Sequence, residues 1–116
     1  MSVTIYNKAV VEMASGLLVW TTSDVRGMLV TETYVPNKDS NFVADVTNEL
    51  VATNYARQIV ASKTLTRDDV NDVIILDAAD STWAALGVGA PFRAVFFRQV
   101  TTDADSPLIA CVDLIT

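Results

Sequence analysis

Runs of β-branched and aromatic residues dominate the chain after Leu17, and clusters of turn-forming residues separate these runs. This alternation is typical of β-strands joined by turns. The pattern predicts strands over the following segments: Leu17 to Thr22, Val25 to Thr31, Tyr55 to Thr66, Val70 to Ala78, Phe92 to Val100 and Leu108 to Ile115. Trp83 is a candidate start for one further short strand.

The segment from Ile5 to Ala14 has a different pattern, with apolar residues spaced as on one face of a helix. These residues are Ile5, Ala9, Val10 and Met13. Thr4 or Asn7 can cap the start, and Gly16 lies where a helix end favours a residue that tolerates positive φ. The pattern therefore predicts a short amphipathic N-terminal helix.

The order of these elements predicts a mostly β fold, because strands and helices do not alternate. Beyond the N-terminal helix we expect only a single helical turn, over Asp45 to Leu50, with Asp45 as its cap. The predicted architecture is an antiparallel β-sandwich or open barrel with one short N-terminal helix. With 116 residues, 51% of them hydrophobic, residues 1–116 are expected to form a single β-rich domain with its own core.

Three predicted strands are apolar without alternation: Val73 to Leu76, Ala94 to Phe97 and Leu108 to Val112. A strand with one face in water should alternate apolar and polar residues, so both faces of these strands require cover. Either the helix and the long loops provide that cover, or a second protein does. The surplus apolar surface around Ile74, Val95 and Ile109 predicts a homo-oligomer, a trimer or a dimer.

The net charge of −6 and the pI near 4.3 disfavour binding to nucleic acid and to anionic membrane surfaces. We expect neither an export signal nor a membrane-spanning segment, since the N-terminus lacks a basic region before a long apolar stretch. The only cysteine, Cys111, excludes an internal disulfide and fits folding in a reducing cytoplasm. We predict that this thiol is buried.

The chain contains no histidine, which removes the commonest general base and metal ligand. We therefore predict no catalytic residues, no cofactor and no metal site. Two acidic clusters remain. The cluster from Asp68 to Asp72 lacks the spacing of a calcium loop, and Asp77 with Asp80 could form an acid/base pair. For both clusters, turn formation at strand ends is the favoured interpretation.

Trp20 and Trp83 fall in or near predicted strands, where large aromatic residues usually belong to the core. The polar loop from Tyr34 to Phe42 differs, because four of its residues are apolar and have no evident reason to lie in water. They are Tyr34, Val35, Pro36 and Phe42. Apolar residues on surface loops are typical contacts of protein interfaces, so these four are the candidate partner-contact residues, unless they fold back onto their own domain.

The order of local segments resembles a family of small tailed-phage virion structural proteins that look like capsid decoration, or cement, proteins. The resemblance covers nearly the whole chain. Its segments are Val3-Thr4-Ile5-Tyr6-Asn7-Lys8, Arg26-Gly27-Met28-Leu29-Val30, Tyr34-Val35-Pro36-Asn37-Lys38-Asp39, Phe42 to Leu50, Asn54-Tyr55-Ala56-Arg57, Asp77 to Trp83, Arg93 to Phe97 and Ser106 to Asp113. The chain departs from the family at Asn54, where glycine is usual, although Asn tolerates the left-handed conformation.

The resemblance implies a non-enzymatic structural protein that is made in the host cytoplasm and binds the major capsid protein on the capsid surface. Its function would be to stabilise the capsid lattice by repeated binding. An alternative is a tail or adsorption-appendage component that binds a receptor or a carbohydrate, with Trp20, Trp83 or Tyr34 stacking on sugar rings.

Overall fold

A five-stranded antiparallel sheet forms the body of the protein in this computed structural model, which describes residues 2–87 and 92–114. The elements in chain order are β1 (Val3–Ile5), α1 (Asn7–Ser15), β2 (Val25–Thr31), β3 (Gln58–Ile59), β4 (Thr64–Asp68), β5 (Val73–Asp77), β6 (Phe92–Arg98) and β7 (Leu108–Asp113). The strand order in the main sheet is β1-β7-β6-β2-β3, and β4 pairs with β5 in a separate two-stranded sheet.

The predicted fold class is confirmed: the protein is mostly β, with one short N-terminal helix and two antiparallel sheets in a sandwich-like arrangement. Neither sheet closes on itself, so the arrangement is open. Strand β2 has the predicted bounds, while β6 and β7 are slightly shorter than predicted. Ile115, at the end of the last predicted strand, and residues 88–91 of the preceding connection lie outside the described residues.

Both faces of the central strands of the main sheet, β2, β6 and β7, are covered by the chain itself. On one face, Met28, Val95 and Phe97 pack with residues from the segments before α1 and after β2, such as Tyr6 and Tyr34. On the other face two clusters form, around the following buried residues: Ala9, Leu18, Val25, Val60, Ile109 and Ala110 in one, and Leu29, Leu50 and Ala94 in the other. The helix and the loops therefore cover β6 and β7. This cover accounts for the apolar runs of the two strands, so that no partner protein is needed to explain them.

Helix α1 begins at Asn7 rather than Ile5, because Val3–Ile5 pairs as an edge strand with β7. Gly16 ends the helix as predicted, with φ of 79° and its N–H directed to carbonyls of the last turn. The predicted apolar face is wrong beyond Ala9, since Val10 and Met13 are exposed. Glu12 is the second buried residue of the helix.

Burial of Glu12 depends on an ion pair with the main sheet. Its Oε1 accepts hydrogen bonds from Nε of Arg98 at 3.1 Å and from Nη2 at 2.9 Å. Lys8, one turn earlier on the helix, lies 4.0 Å from the other carboxylate oxygen. The helix is thus attached to β6 by a charged contact as well as by the packing of Ala9.

Other predicted elements differ in the structure. Leu17 to Thr22 is not a strand but a series of turns, in which the Val19 carbonyl accepts from Thr22 and Ser23. The segment from Tyr55 to Thr66 contains the short β3 and the start of β4 rather than one strand. A 3-10 turn at Val43–Asp45 replaces the helical turn predicted over Asp45 to Leu50, and no strand begins at Trp83.

Candidate functional site

Among the described strands, those of the β4–β5 hairpin, residues 64–77, have the least cover from the rest of the chain. Every residue of β5 is exposed, and in β4 only Asp68 is partly buried. The exposed fractions of the four consecutive apolar residues Val73, Ile74, Ile75 and Leu76 are 45, 58, 44 and 39%. An apolar run that is exposed on both faces of a strand is unusual, because such runs normally mark strands buried on both faces.

The tip of the hairpin is a tight turn stabilised by Asp68. The Asp68 carboxylate accepts hydrogen bonds from the backbone N–H of Val70 and of Asn71, each at 3.1 Å, and from the Asn71 amide at 2.9 Å. The hydrogen bonds from Asn71 lower the pKa of Asp68. Asp72 takes the left-handed conformation that closes the turn, with φ of 55°. The turn role predicted for the Asp68 to Asp72 cluster is therefore confirmed.

Trp20 holds the base of the hairpin. Its indole N–H points at two backbone carbonyls, of Thr64 at 3.0 Å and of Asp77 at 3.2 Å, which are the paired residues that open and close the hairpin. Just beyond β5, the N–H of Ala79 donates to the carbonyl of Ala61 at 2.9 Å. These bonds fix the orientation of the hairpin where it leaves the body.

An apolar groove of about 330 Å³ separates the hairpin from the end of α1. Leu65, Ile74 and Leu76 line it from the hairpin, which places them on the inner face of that sheet. From the body it is lined by Met13, Gly16, Leu18, Val19 and Trp20. By strand alternation, Val73 and Ile75 lie on the outer face. The inner face therefore borders a groove, and the outer face points away from it.

A second groove, of about 360 Å³, lies between the base of the hairpin and the main sheet. Both tryptophans line it, together with Phe96 and several smaller apolar residues. The Trp83 indole N–H donates to the carbonyl of Ala56 at 2.7 Å, and its ring lies close to Gly27, where a Cβ atom would come within 3.5 Å of it. The two rings are thus held by internal bonds, as partly buried residues rather than as fully buried core residues.

Asp77 and Asp80, considered from the sequence as an acid/base pair, both lie at this second groove together with Ser81. One carboxylate oxygen of Asp77 accepts from the N–H of Ala78 at 2.8 Å, as a turn-forming aspartate does. Asp80 is exposed. Within residues 2–87 and 92–114 there is no group of three or more His, Cys, Asp or Glu side chains that could hold a metal ion.

The four candidate contact residues of the loop are not placed alike. Tyr34 is buried, and its hydroxyl lies 2.6 Å from that of Tyr6 in the core. Val35 is 73% exposed, while Pro36 and Phe42 are partly buried. Phe42 packs under the Lys8 ammonium, which lies 5.1 Å from the ring centroid. Tyr34 thus folds back onto its own domain, and partner contact stays a prediction for the other three residues.

The hydroxyl pair at Tyr6 and Tyr34 lies next to Cys111, which is buried as predicted. Burial, reinforced by the hydrogen bond between the two rings, raises the pKa of Tyr6 far above its ordinary value, and burial likewise raises that of Tyr34. Burial also raises the pKa of the Cys111 thiol to about 11. These groups are neutral at physiological pH and belong to the core.

A charged network that the sequence did not reveal connects the loop after β2 to the turn before β7. The Arg57 guanidinium donates to both carboxylate oxygens of Glu49, at 2.8 and 2.7 Å, and to both of Asp103, at 2.8 and 3.1 Å. Tyr55 also donates to Glu49, at 2.6 Å. Arg57 lies 5.4 Å from the Phe97 ring centroid, so the network covers one edge of the core.

Asn54 has φ of 65°, a left-handed conformation that asparagine tolerates better than most residues. No match to this chain was found among protein-family models, curated proteins or solved structures. In the described parts of the chain, no helix is long and apolar enough to cross a membrane.

Proposed function

We propose that this chain is a non-enzymatic virion structural protein of a tailed phage, and that it binds the major capsid lattice through the β4–β5 hairpin as a decoration protein. The observation that carries the proposal is the exposure of the apolar run from Val73 to Leu76 on both faces of the hairpin. The phage context comes from the family resemblance of the sequence segments. The absence of histidine is consistent with a function without catalysis.

The physical basis of the proposal is the free energy that remains to be gained at the hairpin. Fully burying an Ile or Val side chain contributes roughly 1.5 to 3 kcal/mol, and about half of each side chain of the run is still accessible. Each residue could therefore add about 1 kcal/mol on binding a complementary surface. Repetition over the many equivalent sites of a lattice would multiply this contribution.

The hairpin also has the features of a docking element. It projects from the body as a two-stranded sheet, so each strand keeps one backbone edge available for pairing. Trp20 fixes its base, which lowers the entropy lost on binding. Two further apolar residues, Leu17 and Val19, are exposed near the groove between the hairpin and α1 and extend the apolar surface of the hairpin.

The test uses the double variant Ile74→Thr/Ile75→Thr, which removes apolar surface from both faces while keeping β-branched residues in the strand. Binding to capsid particles stripped of the protein should weaken about thirtyfold, because each of the two residues contributes about 1 kcal/mol of binding free energy. Folding stability should change little, since both positions are exposed. The matched control is Val51→Thr, which changes a residue 93% exposed on a loop of the body and should bind as the wild type.

Equal binding of the double variant and the wild type would contradict the proposal. Sedimentation of the free protein belongs to the same experiment, because a homo-oligomer formed through the hairpin would dissociate in the double variant but not in Val51→Thr. The virion context has its own test in copy number. A decoration protein should be nearly stoichiometric with the major capsid protein in purified particles, whereas a tail appendage should be scarce.

A further inference from the structure

The second groove, at the base of the hairpin, combines aromatic walls with two carboxylate side chains. Trp20, Trp83 and Phe96 supply the aromatic surface, and Asp77 and Asp80 supply two carboxylates. The described residues that line the groove include no lysine or arginine. A groove of this composition has a negative potential and ring faces with negative quadrupoles, both of which attract cations.

Hydrogen bonds to the backbone hold both indole rings in place at the groove. Each indole N–H is directed to backbone carbonyls, so the polar edges of Trp20 and Trp83 are satisfied inside the protein. What they contribute to the groove is therefore ring surface rather than hydrogen-bond donors. The rings need no rearrangement to receive a ligand, which reduces the entropy cost of binding.

The carboxylates differ in their availability. Asp77 already accepts a hydrogen bond from Ala78 through one oxygen. Asp80 makes no side-chain hydrogen bond or ion pair within the described parts of the chain, although it borders the groove. A cation in the groove would pair with Asp80 and would also interact with the charge of Asp77.

We infer that the groove between Trp20 and Trp83 binds a guanidinium group, supplied by an arginine side chain of the protein on which the hairpin docks. This inference rests on the proposed docking function and adds a specificity contact beside the apolar one. Arginine fits better than lysine, because its planar group stacks on aromatic faces and binds carboxylates in a fixed fork geometry. An anionic ligand is disfavoured by the two aspartates and by the net charge of −6.

The experiment titrates the isolated full chain with Nα-acetyl-arginine methylamide and follows the two indole N–H resonances by NMR. The neutral probe of the same shape is the citrulline derivative, and maltotriose tests the carbohydrate alternative. The arginine probe should shift both indole resonances in a saturable way, and added salt should weaken binding. The citrulline probe and maltotriose should give no saturable shift.

Two charge-matched variants sharpen the test. Asp80→Asn should weaken binding of the arginine probe about three- to fivefold, the range of a partly exposed ion pair. Asp72→Asn removes one negative charge at the far end of the hairpin, where Asn also tolerates the positive φ, and should bind the probe within a factor of two of the wild type. Neither variant alters the hydrogen bonds of the indole rings.

The inference is overturned if the citrulline probe binds as well as the arginine probe, if Asp72→Asn loses as much affinity as Asp80→Asn, or if only maltotriose shifts the indole resonances. Because the probe is a small molecule and the protein is free, the outcome does not depend on particles. A chain that binds the probe but not stripped capsids would refute the docking function alone. A chain that binds capsids but not the probe would refute the guanidinium site alone.

Discussion

Truncation of Tyr34 separates a core role from an interface role at the loop that the sequence marked for partner contact. Tyr34 is 5% exposed, and its hydroxyl has the Tyr6 hydroxyl as partner at 2.6 Å. Removing a buried aromatic ring costs about 3 to 5 kcal/mol, so Tyr34→Ala should lose a large part of the 5 to 15 kcal/mol that typically stabilises a domain. Tyr34→Phe keeps the ring but leaves the buried Tyr6 hydroxyl without this partner, at a cost of about 1 to 3 kcal/mol.

The assay is urea unfolding followed by tryptophan fluorescence, with Val35→Ala as the exposed neighbouring control, which should stay within about 0.5 kcal/mol of the wild type. A double-mutant cycle with Tyr6→Phe should show coupling, because the second change removes the hydroxyl that the first leaves unpaired. A loss below about 1 kcal/mol for Tyr34→Ala would refute the assignment of this residue to the core.

Three further predictions concern groups away from the loop. Arg57→Met should cost about 1 to 3 kcal/mol at pH 7, because it leaves the half-buried Glu49 carboxylate without its cation. Burial alone would raise the pKa of Glu49, but its hydrogen bonds from Arg57 and Tyr55 prevail and hold that pKa below its ordinary 4.5. The interaction of Arg57 with Glu49 thus stabilises the fold fully above pH 4.5, and this stabilisation is lost as the pH falls through the lower pKa of Glu49 in the folded state. The difference in free energy of unfolding between wild type and variant, measured in urea, should therefore narrow in acid. A difference that stays constant with pH would contradict this prediction. Trp20→Phe should increase amide hydrogen exchange across the hairpin more than in the main sheet, and equal increases would contradict its role at the hairpin base. Cys111 should resist thiol reagents at pH 8 in the native state and react in urea, since burial raises its pKa to about 11; equal rates would place it at the surface.

The three central strands of the main sheet were predictable because they carry strong local signals. Consecutive β-branched and aromatic residues predicted β2, β6 and β7. The helix end at Gly16 and the turn at Asp68 were also predicted correctly. The errors arose where a long-range pairing overrode the local pattern. Ile5 fits the spacing of the predicted helical face but belongs to β1, which pairs with β7. Leu17 to Thr22 has strand-like residues but forms turns instead of a strand.

Only part of the candidate site could be predicted from the sequence. The apolar run around Ile74 was recognised as needing cover, yet the same pattern occurs in β6, where the chain provides the cover itself. Composition cannot distinguish these two cases, because exposure depends on how the elements pack. The contact of Trp20 with residues more than forty positions away, and its position beside Trp83 and Asp80 at one groove, likewise depend on tertiary structure alone.

The docking role of the hairpin is tested most directly by hydroxyl-radical footprinting of the protein, free and bound to capsid particles, with side-chain modification measured by mass spectrometry. If the hairpin docks on the capsid, modification of Ile74, Ile75 and Leu76 should fall strongly on binding, because these exposed side chains become buried against the capsid protein. Val51, 93% exposed on the body, should be modified equally in both states. Unchanged modification of the hairpin in the bound protein would contradict the assignment of the hairpin as the docking element.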